Sequence, residues 1–132
     1  MSNYLLIKQG TIHNAIEEEP FVADILVENG KIKKIAPVLE GKIINDAEVI
    51  DAMGIDIYPG FVDAHCHMGL DGYATGFAGE DYNELGDPVT PQLSAVDAVN
   101  PQDETFQMAR EGGVTCVCTG PGSSNVIGGT FC

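Results

Sequence analysis

The feature that most constrains the chain is Asn29-Gly30, set between two runs of strand-forming residues, Ala23 to Glu28 and Lys31 to Ala36. An Asn-Gly pair supplies two consecutive positive φ angles, which a tight type I′ turn requires, and that turn carries the twist of the strands it joins. The chain is therefore expected to double back here as an antiparallel hairpin. Ile25 and Val27 share a face with Ile32 and Ile35 only if the returning strand changes phase, because side chains alternate with period two. Lys33-Lys34 interrupts the alternation, and a β-bulge is expected there.

The flanking segments are strand-like as well. Residues 4–13 read as a strand with Leu5, Leu6, Ile7 and Ile12 as its apolar members. Glu17-Glu18-Glu19-Pro20 ends it as a solvated acidic loop. Glu48 to Ala52 and Ile55 to Tyr58 are two further short strands around Met53-Gly54. Residues 1–58 thus read as one all-β module of short antiparallel strands. His13 stands by itself at a strand end, where a surface or packed histidine is expected rather than a ligand.

After Pro59 the grammar changes. Phe61 to Met68 is a strand, and residues 69–92 are irregular and rich in glycine. A loop of that length in a compact domain is usually functional or disordered. Asn100-Pro101-Gln102-Asp103 is a helix start, with Asn100 as cap, Pro101 in the first turn and acid near the positive end of the dipole. The helix is expected to run to about Glu111 and to stop at Gly112-Gly113. Val114 to Thr119 follows as a strand and leads into the turn-rich Gly120-Pro121-Gly122-Ser123-Ser124. Strand, helix, strand implies a parallel pair, so the fold class is α/β, with residues 1–58 and 59–132 as its two parts.

Charge narrows the function. Six basic residues against twenty acidic ones give a formal charge of −14. Nucleic acid and anionic membrane surfaces both call for a basic face, so neither is an expected partner. No apolar run approaches the roughly 20 residues of a membrane-spanning helix, and Met1 to Lys8 lacks the form of a secretory leader. Cys66, Cys116, Cys118 and Cys132 form neither a disulfide framework nor a CxxC zinc pattern, which fits a cytoplasmic location.

The chemistry concentrates in Pro59-Gly60-Phe61-Val62-Asp63-Ala64-His65-Cys66-His67. On a strand, Phe61, Asp63, His65 and His67 share one side, and Val62, Ala64, Cys66 and Met68 share the other. Burying two imidazoles and a carboxylate without partners is costly, and a metal would satisfy them. Residues i and i+2 project the same way, so both rings can reach one cation, and borderline ions such as zinc favour imidazole nitrogen. His65 and His67 also lie at the carboxyl end of their strand, where parallel β/α folds place their sites. The bland reading is that a bare H-x-H means little. Cys66, Cys116 and Cys118 are best read as small core residues. The loop after Thr119 could cradle an anion through its amides, but it lacks a nucleotide-binding spacing and is best read as an ordinary strand-end loop.

This stretch resembles the first barrel strand of the metal-dependent amidohydrolase superfamily, P-G-[FLI]-[IV]-D-x-H-x-H. Ile7 to Ile12 and Asp24 to Ile35 resemble the strands that precede it in that family, with Gln9 where Asn is usual. Gly112-Gly113-Val114-Thr115 is similar to the family's second barrel strand. Asn100-Pro101, Gly120-Pro121-Gly122-Ser123 and Gly128-Gly129 are similar to an imidazolonepropionase-related subgroup.

The resemblance implies an N-terminal β-sandwich piece followed by the first strands of a TIM-like β/α barrel, incomplete in this chain because such a barrel needs about 250 residues. It implies His65 and His67 as ligands of a divalent metal, zinc first, with one or two ions in the full-length enzyme and weak or absent metal in this fragment. It also implies hydrolysis of a C–N bond, of cyclic amide or N-acyl type, in a small-molecule substrate. The family's other ligands and its aspartate base come from later strands, so no catalytic residue is assigned, and Asp63 is expected to orient or pack rather than act as base. The chain is then the N-terminal part of a longer enzyme and inactive by itself. Its open strand edges point to a homo-oligomer. The competing reading is a non-catalytic, self-associating β-rich domain with an incidental histidine pair.

Overall fold

In the computed structural model, which describes residues 4–41 and 47–132, Asn29 and Gly30 take φ angles of 51° and 75° and the chain reverses as a hairpin. Residues 1–3, where the leader was sought, and 42–46, inside the first expected module, lie outside the described residues. The chain divides into two units, Met1–Pro59 and Gly60–Cys132.

In the first unit, β2 (Phe21–Glu28) pairs antiparallel with β3 (Lys31–Ala36). Val27 lies opposite Ile32 and Ile25 opposite Ile35, with Lys33 as the extra residue, so the bulge falls where the two lysines break the alternation. The bulge aims the Lys33 ammonium at Glu28 Oε2, 2.6 Å away, while the Tyr4 hydroxyl donates to Glu28 Oε1 at 2.9 Å. Lys33 and then Tyr4 hold the Glu28 carboxyl below the usual carboxylate range.

β1 (Tyr4–Ile12) carries a second bulge that the sequence reading did not anticipate. Ile7 lies opposite Ile25, but Gly10 lies opposite Ala23, so β1 has one residue too many, and Gln9 takes a φ of 57°. The slip changes the phase of the strand. Ile7 and Ile12, on opposite faces of an unbroken strand, now pack in one cluster with Ala23, Ile25 and Ile57. Glycine is required at position 10, where a Cβ would collide with the Ile57 side chain. The other face gathers Leu6, Leu26 and Leu39.

Asp24 explains how the bulge is held. Its carboxylate is 1% exposed, accepting the Gln9 amide on Oδ1 at 2.9 Å and the Leu39 amide on Oδ2 at 3.0 Å. A buried carboxylate is tolerable when its oxygens are met by donors.

The expectation of purely antiparallel strands is corrected here. β4 (Glu48–Asp51) and β5 (Asp56–Ile57) both run parallel to β1, and the order is β3-β2-β1-β4 with β5 also on β1. The link from β3 to β4 is no hairpin: it takes the chain to the far edge of the sheet, so β4 enters in the direction of β1. His13 is a packed surface residue. Its Nε2 lies 2.8 Å from Asp56 Oδ1 and its ring stacks on Tyr58 at 4.2 Å.

In the second unit, β6 (Phe61–Cys66) and β7 (Val114–Thr119) pair in parallel, with α1 (Glu104–Glu111) between them in sequence. The loop that follows β6 contains a 3₁₀ segment at Tyr73–Gly79, and a second lies at Ala95–Asp97. The helix starts later than expected. Asp103, not Asn100, is the cap: its Oδ1 accepts the Thr105 amide at 2.9 Å and the Thr105 hydroxyl at 2.5 Å. Asn100 instead accepts the Gln102 amide at 3.1 Å in a turn just before the helix. Gly113, at a φ of 88°, ends the helix with its amide on the Arg110 carbonyl.

Cys66, Cys116 and Cys118, expected as small core residues, are not buried: Cys116 is exposed, Cys66 and Cys118 are half-buried, and with the exposed Cys132 all four are free thiols. Val62, on the same side of β6 as Cys66, is 70% exposed. Parallel strands become core only when layers cover both faces, and among the described residues of this unit there is one α-helix to do so.

Two outcomes are expected. Asp24→Ala removes the acceptor of the Gln9 and Leu39 amides and should cost about 3 kcal/mol in urea denaturation, at about 1.5 kcal/mol per bond to a charged group. Asp103→Ala should cost about 1 kcal/mol at neutral pH. The Thr105 hydroxyl, followed by its amide, holds the Asp103 carboxyl below its ordinary 3.8. A depressed folded-state pKa gives stability that is complete above the unfolded-state value and is lost as pH falls through the lower folded-state one. The difference between wild type and Asp103→Ala should therefore persist down to the ordinary value and vanish below it.

Candidate metal centre

The alternation of β6 places Asp63 and His65 on one side, and His67 continues that side just beyond the strand end. His65 is exposed and His67 half-buried. Their rings are neighbours, with centroids 5.2 Å apart and planes at 83°. The two histidines singled out from sequence are thus brought together. Asp63 faces away from any such role: its Oδ1 accepts the His65 amide at 3.1 Å on its own strand.

The environment of His67 decides what it can do. Its Nδ1 lies 2.6 Å from the Gly120 carbonyl oxygen. A carbonyl only accepts, so Nδ1 carries a hydrogen, and in the neutral ring Nε2 then keeps its lone pair. This is the tautomer in which a ligating histidine is held when its second nitrogen bonds a backbone carbonyl.

Gly120 follows β7 directly, and its position is stitched to β6. The Gly120 amide donates to the Cys66 carbonyl at 3.1 Å, and the Thr119 hydroxyl donates to the Met68 carbonyl at 2.7 Å. Thr119 and Cys132 exchange both backbone bonds at 2.9 Å. That pairing seats the Phe131 ring over Gly120, where any Cβ would collide with it, and against His65 at 4.9 Å. On the other side, Tyr82 stacks on His67 with centroids 5.1 Å apart and planes at 10°. A cleft of about 300 Å³, lined by Leu70, Tyr82, Leu93, Asp97 and Pro121 among others, adjoins this stack.

Gly120, Tyr82 and Phe131 were not singled out from sequence as parts of the centre. The Gly120 loop had been weighed for its amides, whereas its carbonyl makes the contact. Tyr82 lies in a loop whose local pattern names no residue. The two imidazoles fit a divalent ion of zinc type by donor chemistry and by the tautomer of His67. They do not complete a site. Among the described residues no group of three or more His, Cys, Asp or Glu side chains gathers, and catalytic zinc takes three protein ligands.

The chain has only three histidines, so their ring nitrogens can be assigned separately. Long-range ¹H–¹⁵N spectra of the metal-free chain are expected to show His67 protonated at Nδ1 and bare at Nε2. The opposite pattern would contradict the Gly120 contact.

No family model matches the chain. The chain is 36% identical over 110 residues to the amidohydrolase tasK of Hapsidospora irregularis, covering 83% of this chain and 11% of that protein. It is 42% identical over 64 residues to the dihydroorotase of Aquifex aeolicus, covering 48% and 14%, and 43% identical over 83 residues to an allantoinase of Escherichia coli, covering 58% and 17%. The crystal structure of an amidohydrolase from Thermotoga maritima superposes with a TM-score of 0.88 at 43% identity, over 96% of this chain and 32% of that one. The chain therefore spans 11 to 17% of the length of these curated relatives. The strand that carries His65 and leads into His67 sits in a fold shared over 96% of this chain with an amidohydrolase: the chain belongs to the amidohydrolase superfamily and corresponds to the N-terminal portion of its members.

Proposed function

We propose that the protein to which this chain contributes hydrolyses a C–N bond in a small cyclic amide, with His65 and His67 as two ligands of a divalent metal, zinc first. The observation that carries this reading is the Nδ1 contact of His67 to Gly120, which leaves Nε2 bare beside a second imidazole. A metal held there supplies a Lewis acid and a water acidified to near neutral pH. His67 offers Nε2 from a ring fixed at its other nitrogen, and His65 offers the second imidazole. Tyr82 covers one face of His67, and Phe131 packs against His65. Asp63 is engaged with the His65 amide and does not serve as the base. On this reading the remaining ligands and the base come from parts of a longer protein, which the small share of each relative that this chain spans supports. The names dihydroorotase and allantoinase among the relatives support a cyclic amide as substrate over a linear N-acyl compound, and the cleft beside Tyr82 has room for a small ring.

On this reading the first unit is the β-sandwich piece, and β6, α1 and β7 open a TIM-like barrel whose sites lie at the carboxyl ends of its strands. The chain by itself is inactive and binds metal weakly. Free thiols fit a cytoplasmic setting, and among the described residues no helix is long and apolar enough to cross a membrane. A second reading, self-association of this chain, is favoured by one observation: Phe61 and Val62 on β6 are 61% and 70% exposed.

Zinc titrated into the ¹⁵N-labelled chain is expected to shift His65 and His67 together and to leave His13 in place, with both responses lost in His65→Ala and His67→Ala. A response confined to His13, or none, would remove the metal assignment. In the longest gene product carrying this chain, either substitution should abolish opening of small cyclic amides. Sedimentation of the chain should show dimers or larger species, and a clean monomer would count against self-association.

A further inference from the structure

A hydrogen bond at Nδ1 fixes one corner of an imidazole and leaves the ring free to rock, since the terminal torsion of histidine is broad. In this structure the ring face is held as well. Tyr82 lies flat on His67, 5.1 Å centroid to centroid and 10° from parallel, and offset stacking of flat rings favours one relative orientation. Tyr82 is itself held in a frame. The Gly122 amide donates to the Tyr82 carbonyl at 2.5 Å. The Asn125 side-chain amide donates to the carbonyls of Glu84 and Asp87 at 2.9 and 2.8 Å, and the Ser124 hydroxyl donates to Asn83 Oδ1 at 2.7 Å. Gly122 permits this approach, because a Cβ there would collide with Asn83 and with the Tyr82 ring. Segments 82–87 and 122–125 are therefore tied together. The carbonyl that holds the edge of His67, at Gly120, lies two residues before Gly122, whose amide holds Tyr82.

We infer that Tyr82 is a positioning residue for His67: its ring sets the imidazole plane, keeping Nδ1 on the Gly120 carbonyl and Nε2 presented outward. The purpose of this device rests on the metal reading above; its test does not. The hydroxyl of Tyr82 has no part in it, so a flat ring is the only requirement.

The test uses the metal-free, ¹⁵N-labelled chain with Tyr82→Phe and Tyr82→Leu. Tyr82→Phe should keep the ring-current displacement of the His67 protons and the single Nδ1–H tautomer. Tyr82→Leu, which fills space without a flat face, should lose both while the Gly122 amide stays protected from exchange, because that bond is made to the backbone. The zinc needed for half of the His67 shift should rise on the order of tenfold in Tyr82→Leu and stay unchanged in Tyr82→Phe, in the range seen when outer partners of a ligand are removed. A single tautomer retained in Tyr82→Leu overturns the inference. If Tyr82→Leu exposes Gly122, Tyr82→Phe decides: loss of the tautomer with the flat ring still present overturns it, and retention supports it. Failure of the wild-type chain to respond to zinc would remove the metal reading and leave the tautomer comparison intact.

Discussion

The candidate centre depends on one constraint, the closure of β7 onto β6 at their carboxyl ends. Backbone pairing holds the two strands side by side, but a strand end is where a ladder frays. Here Gly120 gives its amide to Cys66 and its carbonyl to His67, and Thr119 gives its hydroxyl to Met68. One residue thus anchors both the main chain of β6 and the ring that projects from just beyond it. Opening of the closure would therefore free the Nδ1 corner of His67. Each bond is worth only about 1 kcal/mol net. Their value lies in acting together, tying Thr119 and Gly120 to three successive residues, Cys66, His67 and Met68.

The first unit solves a different problem, bringing apolar side chains of neighbouring strands to common faces of a small sheet. It does so with two bulges, one on each flank of β2. The bulge at Lys33 turns Ile32 and Ile35 to the same side as Val27 and Ile25. The bulge at Gln9 brings Ile7 and Ile12 onto a common side. The second of these would leave an amide pointing into the sheet, and Asp24 accepts it together with the amide of Leu39. A charged side chain is thus part of the core because it completes the backbone bonding that the bulge interrupts.

These particulars explain what could be read in advance. Asn29-Gly30 and the bulge at Lys33 were legible because the turn demands two positive φ angles and the phase change is visible within a few residues. The bulge at Gln9 was not, since its stabilising partner Asp24 is 15 residues away. Asn100 and Asp103 are both good caps by type, and the choice between them is made by Thr105, whose amide and hydroxyl both bond the Asp103 carboxyl. The direction of β4 and β5 depends on the path taken around the sheet, which no residue pattern within those strands records.

The sequence by itself determined that His65 and His67 stand on one side of a strand end, that a hairpin closes at Asn29-Gly30, and that strand, helix and strand follow Pro59. These follow from side-chain period and from the φ angles particular residues accept, and both are local. Only the tertiary structure decided which nitrogen of His67 is left bare, because the Gly120 carbonyl that takes the other is 53 residues along the chain. It alone placed Tyr82 and Phe131 against the two rings. A ring's tautomer and orientation are set by the atoms it meets, and those atoms come together only when distant segments pack.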